Sequence, residues 1–409
     1  MLIKNITANM VTTLVGMLAP LIVIPILTRD MGLGAYGIYM SIVALIGLFN
    51  VLSDFGLDMY ISKVLSEIKK DSEDINFYVF FFIIFKVLIS ILSIIPVYLL
   101  LDPTLGVDER FLIVLIGFLF LSNLKPTCIL NGLEMYTFQA KTELVGKIVM
   151  VILVFLLNFE ENAILKALFA MSTSYFIVLL ISYIKIYSLG YLKFNFYPIC
   201  NFINVIKNSL DFYFARLFVN IYQKSSTYFV SIVLNSDAVA LYSIAIQLYK
   251  VGQAIIGSIS KVLYTSTIRS KKIKPIIIAS LLCITVLFFL YPVVHFFGLE
   301  IISYLIPAAN EILFEVSKLL YFSLMFVVLG SFWGYPVLAS FNLEKYAHLG
   351  IIIGSLIYYF AFFTFWMLNS FTIYTAIICI LITDAATAVI RLLICKWKIS
   401  GLQVRYNEI

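Results

Sequence analysis

Four runs of polar and charged residues recur at the spacing of one helical face inside otherwise apolar stretches. The longest is Arg216, Asn220, Gln223, Lys224, Thr227 and Ser231; the others are Ser243, Gln247 and Lys250, then Lys86, Ser90 and Ser93, and finally Asp384, Thr387 and Arg391. Ionisable groups in such surroundings are costly, and they normally face a bundle interior or a water-filled cavity. Most are cationic: Lys86, Arg216, Lys224 and Lys250 stand against one acid expected near mid-depth, Asp384. Together they predict a positive, low-dielectric cavity that attracts an anion and repels cations. Asn220, Gln223, Thr227 and Gln247 would supply its hydrogen-bonding walls. Asp384 carries two further readings, as an inter-helical ion-pair partner of Lys224 or Lys250, or as a protonatable coupling site. Lys147, Lys166 and Lys318 are expected to snorkel to the nearest interface.

Those faces need helices to carry them. The chain has 409 residues, 63% hydrophobic and 12% charged, and its mean hydropathy is +1.06. A helix crosses a bilayer with roughly 20 apolar residues, so this composition supports about a dozen spans. Little is left over for a soluble catalytic domain. The apolar runs predict an all-α integral membrane protein with helices near 10–28, 36–56, 76–101, 111–130, 142–158, 163–184, 210–234, 238–261, 275–298, 316–341, 349–369 and 372–394. The fifth is short and carries Lys147.

The net charge of +6 is unevenly placed. With the N-terminus inside, Lys63, Lys69, Lys70, Lys125, Lys141, Lys185, Lys193, Lys207, Lys261, Arg269, Lys271, Lys272, Lys274 and Lys345 all fall on one side, and Lys4 near the N-terminus and Arg391, Lys396, Lys398 and Arg405 near the C-terminus join them. The opposite connections are nearly bare of basic residues, which predicts a multi-pass protein with both termini cytoplasmic. Basic residues placed in this way orient the chain and predict no nucleic-acid partner. The five cysteines, Cys128, Cys200, Cys283, Cys379 and Cys395, show no close pairing and read as small apolar residues. No small-residue cleavage pattern follows the first apolar run, so the first helix is expected to be retained.

The stretch Arg29 to Ile38 and the stretch Asn235 to Ile244 share a shape, with Tyr36 and Tyr242 each followed by a small residue, Ile and a long apolar helix. About half the chain separates them. This predicts two six-helix lobes related by a pseudo-two-fold axis along the membrane normal, residues 1–190 and 210–409, joined by a cytoplasmic linker at 191–209. Pro20 and Pro25 in the first span, Pro96, Pro292 and Pro336 each remove a backbone donor, and Pro20 with Pro25 is the candidate hinge. Enzyme motifs are absent: the sequence has no metal-ligand cluster and no glycine-rich phosphate loop, and His295 and His348 lie far apart. No metal or cofactor is expected.

Several short motifs carry a resemblance. Leu27-Thr28-Arg29-Asp30-Met31-Gly32 running to Tyr36-Gly37, Ser53-Asp54-Phe55-Gly56-Leu57, Asn131-Gly132-Leu133-Glu134-Met135 and Val239-Ala240-Leu241-Tyr242-Ser243 resemble turns of the polysaccharide-export branch of the multidrug/oligosaccharidyl-lipid/polysaccharide (MOP) superfamily, especially Wzx-type O-antigen flippases. The Val-Ala-Leu-Tyr stretch departs from the more usual Gly before the Tyr. The resemblance implies a flippase of the bacterial inner membrane. It would move undecaprenyl-pyrophosphate-linked oligosaccharide repeats from the cytoplasmic to the periplasmic leaflet. It also implies polymerase and chain-length partners and a proton or sodium ion as coupling ion. The cationic faces fit such a cargo independently, because a pyrophosphate needs positive partners and sugar hydroxyls need hydrogen-bonding walls.

Two other readings compete. A drug or cation antiporter of the same superfamily would be expected to place several carboxylates in its cavity. A membrane-embedded polysaccharide polymerase or acyltransferase would need a substantial outer loop or a clustered acid/base pair.

Overall fold

The computed structural model describes residues 2–68, 74–101, 108–157, 162–193, 197–307 and 310–406; within its helices the side chains of 2–15, 17–18, 211, 214–216, 218–223, 225, 265, 269–270 and 399–406 fall outside the described set. Secondary structure among the described residues is helical throughout. In chain order the helices are α1 (Leu2–Leu52), α2 (Leu57–Glu67), α3 (Asp74–Leu99), α4 (Glu109–Asn123), α5 (Thr127–Gly132), α6 (Tyr136–Leu156), α7 (Ala163–Ser188), α8 (Ile199–Val233), α9 (Ser236–Ser270), α10 (Lys274–Leu305), α11 (Glu311–Trp333), α12 (Tyr335–Leu338), α13 (Glu344–Met367) and α14 (Ile373–Tyr406). A single 3-10 turn, Ala339–Phe341, follows α12.

Nine stretches among the described residues are long and apolar enough to cross a membrane, and the chain is a multi-pass integral membrane protein. α6 is not among the nine: Lys141, Glu143 and Lys147 fall within its 21 residues.

Several boundaries differ from those the hydropathy predicts. The turn expected over Arg29 to Ala35 is a break at one residue, Gly32 (φ 79°, ψ 166°), with helix on both sides. That conformation is open almost only to glycine, so one residue redirects the chain where a loop was expected. Helix continues through Pro20 and Pro25. The second expected span stops at Leu52, and Phe55 (φ 50°) and Gly56 (φ 76°) turn the chain into α2. The fourth expected span divides at Lys125 and Pro126 into α4 and α5, because proline withholds a donor and disfavours helix at the residue before it. Pro336 lies at the start of α12, after α11 has ended, within the apolar stretch Glu311–Phe341 that corresponds to the expected tenth span. Residues 199–209 of the expected linker form the opening turns of α8.

The chain clusters into two compact units, Met1–Tyr228 and Phe229–Ile409. In the first, α1 packs on α6 and α7, α6 and α4 on α7, and α2 on α5. A buried apolar cluster of Leu57, Ile61, Phe81, Phe82, Ile129 and Ile186 holds α2, α3, α5 and α7 together. Gly56 is the contact point for α8: a Cβ there would lie 2.2 Å from the Ser209 carbonyl oxygen. Phe55 stacks on Tyr213 at 5.4 Å, and the Tyr213 hydroxyl donates to the Leu52 carbonyl at 3.3 Å. In the second unit, α11 is central, packing on α9, α10 and α14, and α13 lies on α14. Tyr36 and Tyr242, the paired tyrosines of the repeat, are both fully buried, each in its own unit. All five cysteines are free, and Cys128, Cys379 and Cys395 are buried like the small apolar residues they were read as.

Candidate functional site

In the first unit the polar face of α3 turns inward. Lys86 is buried, and its Nζ lies 3.4 Å from Asp54 Oδ1 and 3.4 Å from the Ser53 carbonyl oxygen. Asp54 is carried by the turn that ends α1. From the sequence that turn is a helix ending and Asp384 the one acid expected near mid-depth, so Asp54 is an unforeseen counter-charge. Lys86 is therefore not a free cation of an open cavity. The rest of this face is likewise satisfied within the protein: Ser53 Oγ donates to Asn123 Oδ1 at 3.0 Å, Asn123 Nδ2 donates to Ser90 Oγ at 2.9 Å, and Ser93 Oγ donates to the Ile89 carbonyl. Asn50 and Ser122 add a parallel link at 3.0 Å. Paired charges and fully bonded amides are how a buried polar band becomes tolerable.

Ser122 and Asn123 end α4, and two residues on, Lys125 opens a second charged group in the same unit. Its Nζ lies 2.5 Å from Glu143 Oε1 on α6. Lys147, one turn along α6, lies over the Tyr175 ring of α7, as Lys125 does. Lys147 was expected to snorkel to an interface; its ammonium instead faces this ring. Glu143 had no place in the sequence reading, although its four-residue spacing to Lys147 was the available signal.

The α8 face is described in part. Arg216, Asn220 and Gln223 have side chains outside the described residues. Lys224 is exposed, Thr227 is buried, and the Lys224 carbonyl lies against Gly47 of α1, whose Cβ would sit 3.5 Å away.

The second unit holds Gln247 and Lys250 half-buried on α9. Asp384 of α14 accepts a hydrogen bond from Ser323 Oγ of α11 at 2.6 Å and another from the Tyr249 hydroxyl of α9. Three helices therefore converge on one carboxylate. Neither hydroxyl was singled out in the sequence, because Tyr249 sits between the polar positions Gln247 and Lys250 and reads as apolar packing. Arg391, expected on the polar face of the last span near its cytoplasmic end, is buried. Its Nη1 donates to the Gly330 carbonyl at 2.6 Å and its Nη2 to the Ala347 carbonyl at 3.1 Å. Gly330 lies in the last turn of α11, where carbonyls lack helical partners and the helix dipole favours a cation. Lys318 pairs with Glu315 on its own helix at 2.7 Å. Among the described residues no three His, Cys, Asp or Glu side chains converge as a metal site.

The helical framework is that of membrane transporters. It matches a MOP superfamily transporter from Pyrococcus furiosus (TM-score 0.60, 16% identity, covering 98% of this chain and 96% of that one) and the eukaryotic MATE transporter AtDTX14 (0.59, 13%, 99% and 98%). The lipid II flippase MurJ in an inward closed conformation matches at TM-score 0.72, with 15% identity over 96% of this chain and 87% of that one. At the level of sequence, the chain belongs to the polysaccharide biosynthesis protein family, which it matches over residues 2–264. No curated protein matches it.

Proposed function

We propose that this protein flips an undecaprenyl-pyrophosphate-linked oligosaccharide repeat (O-antigen, capsule or exopolysaccharide) across the bacterial inner membrane by alternating access, with a proton or sodium gradient as the drive. The observation that carries the proposal is membership of a polysaccharide biosynthesis family by a chain with a transporter fold. The reading of twelve spans in two sets of six takes α1 as two across Gly32 and adds α6 and α8, which at 21 and 35 residues are long enough to cross. Residues 1–190 and 210–409 are the two lobes in this reading, and both termini are cytoplasmic.

Arg216, Lys224 and Lys250 hold the pyrophosphate, and Asn220, Gln223, Thr227 and Gln247 meet the sugar hydroxyls. Lys86, balanced by Asp54, serves the architecture of the first unit. Asp384, held by two hydroxyl donors, is the coupling carboxylate. The antiporter reading is weaker on charge grounds: among the described residues Asp54 and Glu143 are ion-paired with lysines, and Asp384 is held by hydroxyls.

The test is complementation. The gene is expressed together with its own sugar-assembly cluster in bacteria lacking their lipid-linked repeat flippase. Surface polysaccharide is measured against lipid-linked intermediate left on the cytoplasmic face. Restored surface polymer is expected. Accumulated intermediate with well-inserted protein would turn the assignment toward the antiporter.

A further inference from the structure

Glu143 and Lys147 share one face of α6, four residues apart. Lys125 enters from the end of α4, with its Nζ 2.5 Å from Glu143 Oε1. The ammonium groups of Lys125 and Lys147 lie 5.1 Å and 6.0 Å from the centroid of one ring, Tyr175, on which Phe118 stacks at 5.6 Å with the planes 3° apart. Two cations thus share one aromatic ring, beside one carboxylate. The carboxylate is engaged by Lys125. Among the described residues Lys147 has no ion pair, and its contact is the ring, a weaker counterpart than an anion for a partly desolvated ammonium. The group sets two lysines against one carboxylate inside a helical unit, and it is open at Lys125 and Glu143, whose side chains are 21% and 16% accessible.

We propose that Lys125 and Lys147 form an oxyanion-binding subsite in which Glu143 is a built-in competitor. An entering phosphate or carboxylate bonds to Lys147 and draws Lys125 from Glu143, so that both ammoniums converge on the guest. The aromatic wall keeps the site dry enough for charge-assisted bonds to hold. The inference rests on the flippase reading only for where such a group comes from: the pyrophosphate of the lipid carrier, or an acidic sugar of the repeat.

The competitor sets the test apart from an ordinary loss-of-charge experiment. Purified protein in nanodiscs is titrated by calorimetry with inorganic pyrophosphate and, separately, with glucuronate. Lys147→Met is expected to weaken binding about tenfold or more, the worth of one charge-assisted contact, while Lys147→Arg retains it. Glu143→Gln is expected to tighten binding by about tenfold, because it removes the competing carboxylate. A response to pyrophosphate alone assigns the site to the carrier headgroup, a response to glucuronate alone assigns it to a sugar acid, and a response to both marks a general oxyanion site. Failure of both anions to bind overturns the proposal. So does Lys147→Met binding like the unsubstituted protein, or Glu143→Gln failing to tighten binding while unfolding at an unchanged temperature. None of these readouts needs export, so a failed complementation with anion binding intact would remove the flippase reading and leave the subsite standing.

Discussion

Lys86 and Asp54 meet at 3.4 Å inside the first unit, a lysine on the third helix and a carboxylate on the turn that ends the first. The lysine side chain is 4% exposed and the aspartate 20%, so each depends on the other for its charge balance. Removing one partner strands the other, which costs more than removing both.

Lys86→Met and Asp54→Asn should therefore each destabilise the protein by about 3 kcal/mol, the lower end for breaking a buried pair. The double variant should recover much of that loss. Thermal unfolding of the purified variants gives the coupling directly, and two additive losses would show that the pair is not a unit.

Two of the positive-φ glycines of the first unit, Gly32 and Gly56, should separate by context. Gly32→Ala meets no neighbour within 4 Å and should cost only backbone strain, about 1–3 kcal/mol. Gly56→Ala adds a Cβ 2.2 Å from the Ser209 carbonyl and must also displace α8. We expect Gly56→Ala to lower the yield of folded protein in membranes and Gly32→Ala to leave it close to normal. Equal effects would count against the close α8 contact.

Arg391 ties the end of α11 to the first turn of α13. Arg391→Lys offers one ammonium where two carbonyls now receive separate donors, and it should cost about 2 kcal/mol, within the range for hydrogen bonds to a charged group. Gly334 and Gly350 leave room for the guanidinium, since a Cβ at Gly334 would lie 2.6 Å from Nη1. Gly334→Ala should be damaging with Arg391 present and only partly relieved in an Arg391→Met background, because its Cβ would also lie 2.8 Å from the Gly330 carbonyl oxygen, as read by unfolding temperature.

Cys200 is exposed at the start of α8, whereas Cys128, Cys379 and Cys395 are buried. With the inferred topology, a membrane-impermeant maleimide should label Cys200 in inverted vesicles and not in intact cells, and denaturation should be needed for the buried three. Labelling of Cys200 from outside would reverse the assigned orientation.

For the coupling role, Asp384→Asn should make export insensitive to collapse of the proton and sodium gradients. Tyr249→Phe and Ser323→Ala should weaken the gradient dependence several-fold while leaving protein abundance unchanged, because each removes one donor that aims the carboxylate. Gradient dependence that survives Asp384→Asn would assign the coupling elsewhere.

The helices were legible wherever apolar length alone decides, as in α3, α7 and α10. They were misjudged where one residue changes the backbone, Gly32 in place of a loop and Gly56 ending a span early, whereas the breaks at Lys125 and Pro126 and at Gly334 and Pro336 interrupt helices inside spans that remain single apolar stretches. Such breaks leave hydropathy nearly unchanged, so a window average passes over them. The polar faces were found as faces, yet their partners were not. Periodicity says which residues of one helix look the same way, and says nothing of what they look at.

From the sequence alone follow the membrane, the order of the long apolar helices and the periodic polar faces they carry, because these depend on composition and on spacing along one chain. Tertiary structure decided which charges are spent on one another. Lys86 meets Asp54 from 32 residues away, and Asp384 meets Tyr249 from 135 residues away. Coulomb and hydrogen-bond energies fall off over a few ångströms of space and take no account of distance along the chain. Packing therefore made Lys86 part of the framework, left Lys147 facing a ring, and buried Arg391 against two carbonyls.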